Sequence, residues 1–177
     1  MGKEQPILNA PLKLAFAAVF AALVCASTLI FIVSIPATSG YFNLGETVIY
    51  IAALLFGPFV GAFSGGVGAA VADALVAAQF APGTLVIKGF EGAIVGFVYK
   101  KIRGRISSLG LSAGISVVVG GLEMVAGYFI YEQTVLGYSL PVALAEVPFN
   151  IVQMLVGLVV AVPITYVVLR VFPQLKS

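Results

Sequence analysis

Histidine is absent from the 177 residues, cysteine occurs once, and charged side chains make up only 9% of the chain. Without several His and Cys ligands the usual zinc and thiolate sites cannot be built, so no metal is expected. Cys25 has no second cysteine for an intrachain disulfide, and within its apolar run it reads as a small hydrophobic side chain. No GxxxxGK(S/T) stretch occurs, so the chain does not itself bind ATP through a P-loop. No nucleophile–base pair stands out, which argues against an enzyme, and no cofactor is expected. The shortage of charge excludes most. Soluble domains carry about 25% charged residues, whereas this chain is 61% apolar, and no stretch suited to water is long enough to fold by itself. With a net charge of only +2, no nucleic-acid partner is expected, and the placement of the charges matters more than their sum.

What is present is apolar sequence in long runs. Six segments, at roughly 12–34, 44–57, 58–80, 84–100, 108–131 and 143–172, are separated by polar or proline/glycine punctuation. The expected fold class is all-α: an integral membrane bundle of six transmembrane helices in a lipid bilayer, one domain over 1–177. The first segment follows Lys3 and Lys13 as a signal peptide would, but it continues apolar for about 23 residues without a small-residue cleavage pattern, so it counts as a span. An even number of spans puts both termini on one side. The cluster KKIRGR at 100–105 lies between spans four and five, and Lys3, Lys13, Arg170 and Lys176 flank the ends. Cytoplasmic termini keep eight of the nine basic residues inside, as the positive-inside rule requires.

That orientation sorts the acids. Glu46, Asp73, Glu91, Glu123, Glu132 and Glu146 fall in the outer half of a span or in an outer loop, together with the remaining cation, Lys88; only Glu4 lies elsewhere. Ionisable groups at membrane depth are expensive and are kept where they face a partner or a water-filled cavity, so a shared outward-facing site is expected. The inner halves hold no chain of ionisable groups for a proton relay. The second span, about 14 residues long, covers only ~21 Å of a ~30 Å core, so its outer end is expected to be sunken. The preceding loop, SIPATSGYFNLGE, would then dip into the membrane, where irregular backbone survives only if buried or lining a cavity. Asn43 and Glu46 become candidate ligand contacts; alternatively the span starts earlier and Glu46 is a solvated helix-start residue.

Gly57, Gly61, Gly65, Ala69 and Asp73 recur every fourth residue along span three, a stripe suited to close helix packing that aims Asp73 at the bundle interior. Asp73 either contacts ligand or ties to Lys88. Lys88 and Glu91 lie three apart on one face of span four and can pair with each other, unless Lys88 faces the cavity and holds ligand oxygens. Glu123 on span five adds an acceptor, and Glu146, Asn150 and Gln153 on span six form a polar seam at i, i+4 and i+7. Tyr41, Phe42, Tyr128, Tyr131, Tyr138 and Phe149 cluster near the same side, as an interfacial belt or a surface for stacking a planar ligand. Span one presents Ala18, Ala22 and Ala26 on one stripe and Ala17 and Ala21 on the next, a smooth ridge that invites a helix of this chain or of a partner.

GYFNLGETVIYIAALLFGPFVGAFSGGVGAAVADAL, followed by KGFEGAIVG and preceded by the alanine ridge, resembles the substrate-binding S components of energy-coupling-factor vitamin transporters, nearest the riboflavin-type branch. The resemblance runs from about residue 12 to residue 100. It implies a six-helix fold in the plasma membrane of a prokaryote, a ligand pocket under the loop after helix one, and a helix-one alanine surface. That surface would meet a membrane coupling subunit driven by two ATPase subunits. Ala17, Ala18, Ala21 and Ala22 match the coupling surface, and Asn43, Glu46, Asp73, Lys88 and Glu91 fall in the motifs around the pocket. The expected loop motif is NLGD, whereas this chain reads NLGE, so the motif does not name the substrate. The implied function is capture of a water-soluble vitamin of the riboflavin, pyridoxine/hydroxymethylpyrimidine or thiamin class; the alternative is an autonomous secondary transporter or channel.

The orientation is testable in intact cells. In a Cys25→Ala background, Arg103→Cys should resist a membrane-impermeant thiol reagent and Tyr138→Cys should react; the reverse pattern would turn the pocket to the cytoplasm.

Overall fold

The computed structural model describes residues 10–175; Lys3, Glu4 and Lys176, which entered the charge count above, lie outside them. The chain runs through α1 (Ala10–Ile30), a hairpin of β1 (Val33–Ile35) and β2 (Gly40–Phe42), then α2 (Gly45–Phe56), α3 (Pro58–Val76), α4 (Ala81–Arg103), α5 (Leu109–Thr134) and α6 (Leu140–Val171), and a final 3₁₀ turn (Pro173–Leu175). Local chemistry sets the boundaries. Pro58, Pro82 and Pro141 stand in the first turns of α3, α4 and α6, where a missing N–H leaves no bond unmade. Ser108 caps α5 by accepting from the Leu111 N–H at 3.3 Å. Gly57 joins α2 to α3 with φ of 87°, a conformation glycine adopts without penalty. It also packs on α4, its carbonyl carbon 2.6 Å from where a Cβ at Gly96 would stand.

Five of the helices are long and apolar enough to cross a membrane. The sixth, α2, has 12 residues, about 18 Å of helix against a ~30 Å core, so the expected count of six complete spans reduces to five plus a short buried helix. The first span ends at Ile30 and not at 34: residues 33–35 pair antiparallel with 40–42, Val33 opposite Phe42 and Ile35 opposite Gly40. Strand pairing gives the loop's backbone N–H and C=O groups the partners that lipid would deny them.

The short helix sits in the middle. It packs against α1, α3, α4 and α6, while α1 packs chiefly on α2 and α3 and is the least buried of the long helices. Tyr50, Ala53 and Leu54 of α2 join Val95, Val117 and Ala161 in the main apolar core. The most extensive pairing is α3 with α4, and glycines permit it. A Cβ at Gly61 would lie 2.6 Å from the Gly92 carbonyl oxygen, one at Gly65 would lie 2.5 Å from the Lys88 carbonyl, and one at Gly92 would strike the Gly61 carbonyl. Backbones in direct contact are the purpose of small residues in membrane helices. Gly89, on the same helix, has no atom nearer than 3.7 Å to a Cβ position.

Gly92→Ala should therefore destabilise the bundle by roughly 1–3 kcal/mol through overpacking against backbone, whereas Gly89→Ala should be neutral or gain up to about 1 kcal/mol from helix propensity. Thermal unfolding in detergent separates the two; equal effects would remove close packing as the reason for Gly92.

Candidate ligand cavity

The hairpin closes one end of the bundle, and the ionisable groups gather beneath it. α4 presents Thr84, Lys88 and Glu91 on one face, spaced i, i+4 and i+7. Lys88 ion-pairs with Glu46 at the start of α2 and with Glu91 at 3.4 Å. Gln153 of α6 donates to Glu46 Oε1 at 3.0 Å and accepts from the Asn43 backbone N–H at 2.9 Å. Tyr50 donates to Glu91 Oε1 at 2.7 Å. All of these side chains are buried except Asn43, which is half-buried. The floor of the site is thus a lysine between two carboxylates, each carboxylate also accepting from a neutral donor.

Asp73 lies to one side of this floor, and its partners differ from the expected one. It accepts from the hydroxyls of Tyr41 and Thr84, and Thr84 in turn bonds the Tyr128 hydroxyl at 2.8 Å. The tie to Lys88 does not form: Thr84, one turn before Lys88 on α4, is what stands opposite Asp73. Burial, and next the adjacent Asp73, push the Tyr41 hydroxyl well above the ordinary tyrosine range, so Tyr41 stays a donor at every physiological pH.

A third group lies on the opposite wall. Glu146 of α6 and Glu132 near the end of α5 bring their carboxyl groups into contact, and Thr38 of the hairpin turn reaches Glu146. Neither Glu132 oxygen, nor Glu146 Oε2, receives a donor. Above them Tyr138 donates to the Thr38 carbonyl at 2.8 Å.

Between these groups is a cavity of about 30 Å³, room for about one water. Tyr41, Asp73, Lys88, Tyr128, Glu146 and Asn150 reach it, with Asn43, Phe80 and Gln153 completing the wall. Of the polar and charged residues singled out from sequence, Asn43, Asp73, Lys88, Glu146, Asn150 and Gln153 line the cavity; Glu46 and Glu91 lie behind Lys88; Glu123, half-buried on α5, stands outside the lining. Phe42 and Phe149 do not reach the wall, and Tyr131 packs beside it, donating to the Gln79 carbonyl at 2.8 Å. Sequence reasoning missed Thr84 and Thr38. Thr84 was findable, since it continues the Lys88–Glu91 face one turn toward the hairpin. The alanine ridge divides: Ala17 and Ala21 are buried against α2 and α3, the Ala21 backbone touching α3 at Gly68, and Ala18 and Ala22 are exposed. The buried pair packs within this chain because α3 offers glycine at the crossing.

Residues 9–170 match the family described as ECF-type riboflavin transporter, S component. A protein of Pyrococcus woesei, known as "Uncharacterized protein in gap 3'region", is 39% identical over 146 residues, which span 81% of this chain and 93% of that one. Among solved structures, the chain shares its fold with the S component of a bacterial ECF transporter. The TM-score is 0.68 at 18% identity, over 96% of this chain and 100% of the other.

Removing the lysine tests the floor of the cavity. Lys88→Met leaves Glu46 and Glu91 buried without a cation and should destabilise the chain by about 3–5 kcal/mol, and adding Glu46→Gln and Glu91→Gln should recover most of that loss. Wild-type thermal stability in Lys88→Met would mean that the ion pairs do not hold α2 in place.

Proposed function

The chain belongs to the ECF-type riboflavin transporter S-component family, and from that premise we propose that it captures a water-soluble vitamin or related micronutrient in the cavity under the hairpin. It is a substrate-binding transporter subunit, not an enzyme, in a multi-pass membrane setting. The observation that carries the finer reading is the cavity itself: buried polar groups from α3, α4 and α6 converge on a space roofed by a two-stranded hairpin. Intramembrane ionisable groups gathered around a space are a ligand site by default. The riboflavin, pyridoxine/hydroxymethylpyrimidine and thiamin classes share a planar ring, and Phe80 and Tyr128, edge to face at 6.5 Å between centroids, offer it an aromatic wall.

A ligand larger than water requires the roof to move. The hairpin and the loop behind it are tethered by Tyr41 to α3, by the Asn43 N–H to α6, and by Thr38 to the α5–α6 loop. We read the roof as facing outside, the termini and the 100–105 cluster as cytoplasmic, and the membrane as the plasma membrane of a prokaryote. Energy then comes from elsewhere. The exposed stripe of α1 at Ala18 and Ala22 is the surface offered to a membrane coupling subunit driven by two ATPase subunits, because small side chains there let a partner helix approach closely.

Two measurements test this reading. Mass spectrometry of small molecules released from the purified protein identifies the substrate. Uptake of that molecule in cells should then fall to background in Ala18→Trp and Ala22→Trp, while the purified variants bind it with unchanged affinity. Ala17→Trp, at a buried position, should fail to fold. Full uptake by the two exposed variants would favour a transporter that works without a partner.

A further inference from the structure

Which charge the substrate brings can be read from what the cavity leaves unsatisfied. Lys88 is committed to Glu46 and Glu91, so no free cation is available to an anionic ligand. Asp73 is already held by two hydroxyls. What remains open on the wall is Glu146 and Asn150. Glu146 is 5% exposed and its Oε2 has no donor, with Glu132 pressed against it and equally without one. One helical turn along α6, the Asn150 side chain is 7% exposed, lines the same cavity, and forms no hydrogen bond among the described residues. Among the described residues five buried acidic side chains, Glu46, Asp73, Glu91, Glu132 and Glu146, accompany one buried lysine.

Building on the substrate-binding reading above, we propose that the ligand is a small cationic nitrogen compound, an ammonium, amidinium or charged aminoheterocycle, with its positive group on Glu146 and a neighbouring polar edge on Asn150. The chemistry is complementary at each atom. Two buried carboxyl groups in contact hold one proton between them and keep one negative charge, and a positive group in the cavity neutralises that charge. It also supplies the donor that Glu146 Oε2 lacks, in surroundings where little water competes. The Asn150 amide, donor and acceptor at once, reads the adjoining ring edge. An uncharged ligand would leave that charge unmet, and an anionic one would meet repulsion from Asp73 and Glu146 on two walls. Riboflavin, uncharged in its ring, is by this argument the poorer fit despite the family's description.

Isothermal titration of the purified, ligand-stripped chain with probes of graded charge reads the preference: thiamin and pyridoxamine as cations, riboflavin as neutral, flavin mononucleotide as anion. A cationic probe should bind at least about tenfold more tightly than riboflavin, and flavin mononucleotide should not bind. Glu146→Gln should weaken the cationic probe about ten- to a hundredfold, leave riboflavin unchanged, and not lower the melting temperature; Glu146→Asp should keep the preference. A purely structural Glu146 would instead lower stability and affect all probes alike. Riboflavin binding as tightly as the cations, or tighter, overturns the charge assignment and leaves the binding-subunit reading standing. If no probe binds, the charge at neutral pH of the molecule released from the protein decides in the same way. If nothing is released either, both readings fall together.

Discussion

The ion triplet Glu46–Lys88–Glu91 is the constraint on which the rest of this structure depends. A helix of 12 residues cannot reach both faces of a bilayer, and nothing in its apolar composition fixes the depth at which it stops. Lys88 fixes it, binding the first turn of α2 to the first half of α4 while Tyr50, one turn further along α2, donates to Glu91. The arrangement is a demanding one. Buried ions are tolerated only when mutually satisfied, and losing one partner costs about 3–5 kcal/mol because the other charges are stranded. That asymmetry makes the triplet a better register device than an apolar contact, which slides at little cost. With the start of α2 held below the surface, the connection from α1 has to descend to meet it. The hairpin and the cavity beneath it follow from that descent.

Close backbone packing is the second half of the same device. The Lys88 carbonyl sits against Gly65, and Gly61 and Gly92 meet face to face. With any larger side chain at these positions α4 would stand further out, and the Lys88 side chain would no longer reach Glu46. The glycine stripe and the ion triplet are therefore one arrangement seen in the backbone and in the side chains. In a solvent that exerts no hydrophobic pressure between helices, contact distance and buried polar bonds do the work that burial does in water.

Much of this was legible in the sequence. Composition alone assigned the chain to the membrane, the basic cluster and the short second segment marked its asymmetry, and six of the residues named from polar placement line one cavity. What stayed illegible is instructive. The every-fourth-residue spacing put Asp73 on the inward face of α3, but spacing within one helix carries no information on the axial register between two. A shift of one turn on α4 exchanges Lys88 for Thr84 as its neighbour, and with it an ion pair for a hydroxyl bond. The alanine ridge is a similar case. Two adjacent stripes of equal smoothness cannot be ranked from α1 alone; the glycine at position 68 of α3 decides that the Ala21 side packs inward. The hairpin escaped because residues 31–34 are as apolar as the helix they follow, and only pairing with 40–42 removes them from it.

The energies of roof and floor differ in a way that bears on function. The roof is held by the Tyr138–Thr38 and Asn43–Gln153 bonds, each worth about 0.5–1.5 kcal/mol net, and by the Tyr41–Asp73 bond to a carboxyl group, worth about 1.5–3 kcal/mol. The floor is held by a buried ion triplet and by backbone in contact with backbone. Each roof bond can break singly, whereas the ions and backbone contacts of the floor must be lost together, so the face where Tyr41, Thr38 and Glu146 meet is the one we expect to open. Two of these residues belong to the hairpin and one to α6, so a ligand seated between them touches both the moving part and the fixed part. On the binding-subunit reading proposed above, its binding energy would then be spent on closing the roof.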